Sequence, residues 1–471
     1  MTEQDRNYKG GIIKMVITKK LAEEINLEAG LMMEIEKLYM QYMPVYFRDI
    51  SRFCPQMYRK FSESCKIQNV DNSMMNDGIL YLHTDAQGKN YFLDTNSELI
   101  YYVQDGTYSI AMGACSSRQY DIFDAAYFRH YISEPNIRKQ LLVYAGNVNV
   151  TTTLDYMGHK IKDIFSVPIL EYTANSLNEL KEIVTDITDI LSSSKFFRKL
   201  WFRGQRQEYY ENRSFNTLNK LGFPKEYEKM PSLIPSLGRC ITEENFSEIK
   251  LNMMYWIEAF KIWTLTQSEE YKEEFSINGK NYWKIVKNLE PQKMAEFVNE
   301  YPFDIEEYVY FQHDLEEFAE VLATQQYGGY TSMLDITDDL DVALFFTQSF
   351  LNQETKKYEL CNPNQSNVIY IIAEGRDTCT LDGSTHIFKN ATNNGISHLP
   401  PRIENQKCGL LIGASAFGRN AYGYRIIAKI HLHGEDILTT KKVEDMFPDI
   451  EMDSLYRTYY DAEPKLMGLY G

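Results

Sequence analysis

Two isoleucine-rich runs do most to limit what this chain can become. NVIYIIAEG (367–375) and YRIIAKIHLHG (424–434) are short, strand-prone and bounded by turn formers. A third apolar run, KLWFRG (199–204), reads as a buried strand stopped by a glycine. Just before it, NSLNELKEIVTDITDILSS has helical rather than strand periodicity. Ser176 and Glu179 have capping-box spacing, so the helix starts there, and Leu177, Leu180, Val184, Ile187 and Leu191 form one apolar stripe. Interleaved helices and short strands make the expected class α+β.

With 471 residues the chain is too long for one ordinary core, and three regions are expected. Residues 1–174 form an N-terminal α+β domain. KKLAEEINLEAGLMMEIEKLYMQYM is helical in pattern, and from residue 79 short β-prone runs alternate with D-A-Q-G, D-T-N-S and Q-D-G, the punctuation of a hairpin meander. Residues 175–434 form the second region, with a Glu- and Lys-rich helical insertion over 241–312. Residues 435–471 read as a charged tail with short helices.

Composition removes several function classes. The net charge of −17 opposes a nucleic-acid partner, although the basic run from Lys195 to Arg206 leaves that route open. Seven cysteines, odd in number and without a C-x-x-C, argue for reduced thiols in a cytoplasmic protein. The first residues lack the apolar core of a secretory signal, and no run of 18 apolar residues suggests a membrane span. His431 and His433 share a strand face without a third ligand, so no metal is expected. No G-x-S-x-G, H-E-x-x-H or P-loop occurs.

Within the second region, a helix should end at Gly328-Gly329, followed by the short extended run YTSMLDIT. Thr337 or Asp338 then caps a helix that turns Val342, Ala343, Phe345 and Phe346 inward. The acidic DDLD at 338–341 suits the start of that helix.

Four pieces in order, WFRGQ, PSLIPSLGR, LATQQYGGYTSMLDITDDLDVALFFT and RIENQKCG, together resemble the FRG domain. This bacterial module is named for a Phe-Arg-Gly triplet, matched by Phe202-Arg203-Gly204, and the resemblance covers about residues 176–433. Two positions depart from its pattern: Gln326 replaces a histidine and Ser332 an arginine. WFRG also resembles, more distantly, the first-strand arginine motif of ADP-ribosyltransferases. That resemblance implies small packed β-sheets flanked by helices, with NAD as substrate in a cleft, and a toxin or defence effector modifying a macromolecular acceptor.

The residue types suit such chemistry. A guanidinium at a strand end, Arg203, can clamp phosphate or ribose oxygens, and Gly204 beside it lets a ligand approach the backbone. Tyr327 can stack on nicotinamide, with Gln326, Thr331 and Arg402 completing the nucleotide contacts. The oxocarbenium-like transition state calls for a carboxylate or amide, and Asp335, Glu404 and Gln406 are the candidates. A non-catalytic module that binds a nucleotide or a partner protein is the alternative. Convergence of Arg203, Tyr327, Asp335 and Gln406 on one open cleft with a carboxylate in reach favours the enzyme; a closed, buried ion pair of Arg203 and Asp335 without a cleft favours binding or structure.

Overall fold

The β-prone stretch from residue 79 folds as its turn residues require. In the computed structural model, Ile79–Thr84 (β1), Asn90–Asp94 (β2), Leu99–Gln104 (β3) and Thr107–Gly113 (β4) form an antiparallel meander in chain order. Asp105 and Gly106, with φ of 51° and 72°, occupy the tight β3–β4 turn, where both central residues must be left-handed. The structure describes residue 74 and, apart from one or two positions at a time within them, residues 77–113, 121–135, 160–236, 325–375, 380–382, 400–411 and 420–457. The helix expected between residues 19 and 43 and the insertion at 241–312 lie outside these.

After the meander come Asp121–Ser133 (α1), Leu170–Ala174 (β5), Leu177–Ser192 (α2) and Phe197–Gln205 (β6). Tyr210–Asn212 (β7) and Lys229–Pro231 (β8) pair around Phe215–Leu221 (α3). Leu334–Thr337 (β9) leads into Leu340–Gln348 (α4), then Ser349–Leu351 (β10), Tyr358–Leu360 (β11) and Val368–Gly375 (β12). Thr380–Asp382 (β13), Pro401–Asn405 (α5), Cys408–Leu411 (β14), Ala428–Leu432 (β15) and Val443–Met446 (α6) complete the order.

The isoleucine-rich runs and KLWFRG become neighbours. A seven-stranded sheet has the order β13-β14-β9-β6-β12-β15-β5, antiparallel except for the β15–β5 pair. All eight residues of β12 are buried, as expected for a central strand covered on both faces. On one face, Leu200, Phe202, Ile369, Ile371, Ile430 and Leu432 pack under α1, α2 and α4. On the other, Trp201, Leu334, Ile336, Val368, Tyr370 and Ile372 pack against Leu233, Tyr422 and Ile426. Each such side chain contributes about 1.5–3 kcal/mol by leaving water.

Helix α2 starts where its cap was expected: Glu179 N–H donates to Ser176 Oγ at 3.2 Å. Glu179 Oε2 reaches back one residue further than the usual box and accepts from Asn175 N–H at 2.7 Å. For α4 the expected cap moves. Asp339 is the N-cap, its Oδ1 accepting from the N–H groups of Asp341 and Val342 at 2.8 and 3.3 Å. Thr337 is unavailable because its hydroxyl donates instead to the carbonyls of Gln406 and Lys407.

The structure places no break at residue 174. β5, assigned by sequence to the N-terminal domain, extends the seven-stranded sheet beside β15. Ala125, Phe128 and Tyr131 of α1 lie in the same core as β12. The meander is fastened by a buried ion pair, Arg213 to Asp94 at 3.0 and 3.1 Å, with Arg213 also donating to Tyr424 Oη at 2.8 Å. The segment after 434, expected as a charged tail with short helices, carries the short helix α6 and is bonded to the rest of the fold. Gln348 Nε2 donates to Ile437 O at 2.7 Å, Thr439 Oγ1 donates to Asp341 Oδ1 at 3.0 Å, and Arg402 pairs with Asp453 at 3.5 Å.

Candidate functional site

Strands β6 and β9 pair where Phe202 faces Thr337, and their ladder does not continue toward Asp335. Past that point β6 runs on through Arg203, Gly204 and Gln205 along β12, while β9 stays with β14. The two strands therefore diverge. A cleft of about 480 Å³ opens at the fork, lined on its strand side by Phe202, Arg203, Gly204, Asp335, Ile336 and Thr337. Its size lies within the range of small-molecule sites.

Arg203 spans the fork. Its Nη1 donates to the backbone carbonyl of Asp335 at 2.7 Å, supplying a donor where the strand ladder stops. It thus binds the main chain of Asp335. The carboxylate of Asp335 is served by two amides: Gln325 Nε2 donates to Oδ2 at 2.6 Å and Gln326 Nε2 to Oδ1 at 2.5 Å. Thr331, fully buried, donates its hydroxyl to Gln325 Oε1, which orients that amide so that its N–H₂ faces Asp335. Gln326 also donates to Cys408 Sγ at 2.8 Å. The left-handed Gly328, φ 91°, ends the turn carrying both glutamines.

The opposite wall is aromatic. Phe346 of α4, Phe350 of β10, Tyr358 of β11 and Phe447 line it, the last two with parallel rings 3.7 Å apart between centroids. Burial pushes the Tyr358 hydroxyl above its ordinary value; Arg402 opposes that shift and Asp335 reinforces it. Gln406 completes the lining. Its carbonyl accepts from Thr337 Oγ1 at 2.9 Å, and its Nε2 donates to Met446 O at 2.8 Å, which ties α6 and Phe447 to the cleft.

Several expected roles change. Tyr327 and Arg402 do not line the cleft. The Arg402 guanidinium lies 4.6 Å from the ring centroids of both Tyr327 and Tyr456, so the ring expected to stack on nicotinamide already carries a cation. Burial and the neighbouring Asp453 push the Tyr327 hydroxyl well above its ordinary value, and burial likewise raises the Asp453 carboxyl. Thr331 supports Gln325 instead of meeting a ligand. Glu404 is exposed and outside the lining, which leaves Asp335 as the cleft's carboxylate among the described residues.

Gly204 is explained differently as well. A Cβ there would sit 1.8 Å from the carbonyl oxygen of Ala343, so the glycine lets α4 lie directly on β6. Phe346, expected in the core, is half-buried and faces the cleft, whereas Phe345 is buried. Ser332 lies outside the described residues. His431 approaches Glu208 at 3.9 Å, and no group of three metal-ligating side chains occurs among the described residues.

The sequence reading missed Phe350, Tyr358 and Phe447. They lie on three separate elements, the last of them in the supposed tail, and no local spacing connects them. No helix among the described residues is long and apolar enough to cross a membrane. The chain matches no family model, no curated protein and no solved structure.

Proposed function

We propose that this cleft binds NAD and that the protein is an ADP-ribosyltransferase-like enzyme, cutting the nicotinamide–ribose bond and passing ADP-ribose to an acceptor. One observation carries the reading: an arginine at a split between two strands lines an open cleft together with Asp335, the one carboxylate among the described lining residues, and a group of aromatic side chains. A nicotinamide riboside has the matching halves, a flat ring for the aromatics and hydroxyls for the polar side.

The residues then divide the work. As the C1′–N bond breaks, its electron pair leaves with nicotinamide, which becomes neutral, and positive charge develops on the ribose. Asp335 opposes that charge and orients a ribose hydroxyl. Gln325 and Gln326 hold the carboxylate in place so that little reorganisation accompanies the reaction. Arg203 fixes the strand that carries Asp335 and brings its guanidinium into the lining of the cleft. The acceptor nucleophile bonds to C1′ and gives up its proton; with water as acceptor the product is ADP-ribose.

A binding module that holds a nucleotide without splitting it is the second reading. It is favoured by the exposed position of Glu404 and by the two hydrogen bonds from glutamine amides that already engage Asp335. Thermal unfolding tests the shared premise. NAD or ADP-ribose raises the melting temperature of the wild type and not that of Arg203→Ala, because a ligand selective for the native state must stabilise it. No shift with the wild type removes both readings. A shift without any nicotinamide release selects the second.

A further inference from the structure

This inference rests on the NAD reading and concerns how the ligand's phosphates are held. Among the described residues, the cleft lining contains one cation, Arg203, and one carboxylate, Asp335. Their charges cancel, and the chain as a whole carries −17. A pyrophosphate, with two negative charges, therefore finds no net positive charge inside the fork. Most nearby cations are already paired with carboxylates. Lys199 lies 3.3 Å from Asp338, Lys407 and Lys441 lie 3.0 and 3.1 Å from Asp339, and Arg402 lies 3.5 Å from Asp453.

Arg206 differs. It follows β6 directly, is exposed, and makes no ion pair or hydrogen bond among the described residues. Its guanidinium carbon sits 4.9 Å from the ring centroid of Phe350, a residue of the cleft's aromatic wall. A cation–π contact of this kind holds the guanidinium near the rim while leaving its N–H edge open to an anion.

We infer that Arg206 is the phosphate-binding residue of the cleft and makes it selective for a nucleoside diphosphate ester over the corresponding nucleoside. The nucleoside half occupies the fork between Asp335 and the aromatic wall. The pyrophosphate leaves the fork past Phe350 and meets Arg206 at the rim. Charge-assisted bonds to phosphate are among the stronger protein–ligand contacts, and this one stands at a solvent-facing site where salt screens it.

Isothermal titration of the full-length protein tests this, with ADP-ribose and nicotinamide riboside as probes, on the wild type, Arg206→Ala and Arg206→Lys, at low and high salt. Arg206→Ala is expected to weaken ADP-ribose binding about tenfold to a hundredfold, with Arg206→Lys between it and the wild type. The salt dependence of ADP-ribose binding becomes shallower in Arg206→Ala, and nicotinamide riboside changes less than about twofold. Equal weakening of both probes, or unchanged ADP-ribose affinity and salt dependence, overturns the role of Arg206 and leaves the NAD reading standing. Failure of the wild type to bind ADP-ribose overturns both.

Discussion

Two arginines of this molecule meet an aspartate in opposite ways. Arg213 and Asp94 are both buried and joined by paired bonds, with Tyr424 Oη adding a third contact. The aspartate holds the Arg213 guanidinium above its ordinary value although burial, the largest influence, pushes it down. This is a closed arrangement, and its product is the seam between the meander and the main sheet. Arg203 donates to the backbone carbonyl of its aspartate, and two neutral amides donate to the carboxylate at the edge of a cleft. The first arrangement neutralises charge and excludes water. The second places a guanidinium and a carboxylate in the lining of a cleft that a ligand can reach. The same two residue types therefore serve architecture at one site and, on the proposed function, recognition at the other.

The contrast predicts different costs for similar substitutions. Arg213→Ala strands the buried Asp94 carboxylate and is expected to lower unfolding free energy by about 3–5 kcal/mol in urea denaturation. Arg203→Ala, at a partly exposed site, removes a bond to a backbone carbonyl and strands no fully buried carboxylate, so it should cost less, about 1.5 kcal/mol. Equal costs for the two would erase the distinction. Gly204→Ala comes next. The new methyl group meets the Ala343 carbonyl, so α4 must shift, at an expected cost of about 1–3 kcal/mol or more by the same assay. A neutral result would return Gly204 to the ligand-contact role suggested by its motif.

A smaller effect tests the neighbouring acid. Burial is the largest influence on Asp339 and raises its carboxyl, but hydrogen bonds from Lys407 and Lys441 outweigh it and hold the group below its ordinary value. A folded value below the unfolded one means stability that is present above about pH 4 and lost as pH falls through the folded value. Asp339→Asn keeps a competent N-cap, so it should cost less than about 1 kcal/mol at neutral pH. It should also flatten the acid limb of the wild-type stability curve. An unchanged acid limb would remove Asp339 as its source.

Much of the frame was legible in the sequence because it depends on local periodicity. Burial on both faces makes Val368 to Gly375 a continuous apolar run, and the stripe from Leu177 to Leu191 repeats with the helical turn. The turn residues of the meander announced themselves for the same reason. What was not legible depends on distant contacts. Nothing local to Leu170–Ala174 says that it pairs with Ala428–Leu432, more than 250 positions later. The site divides along the same line. The motif residues Arg203, Gln326, Asp335 and Gln406 do line one cleft. Tyr327 and Arg402 were drawn away from it because Tyr456 and Asp453, from the C-terminal segment, complete a cage around the guanidinium.

The central claim is that Asp335, oriented by two amides, is the group that meets the developing charge on ribose. Nicotinamide release from NAD by purified wild type and Asp335→Asn measures this most directly, with NAD affinity followed in parallel. The account predicts release by the wild type and a loss of about a hundredfold or more in Asp335→Asn, with affinity changed much less, as expected for an interaction realised in the transition state. Release that is undiminished in Asp335→Asn, or absent from the wild type, would contradict it.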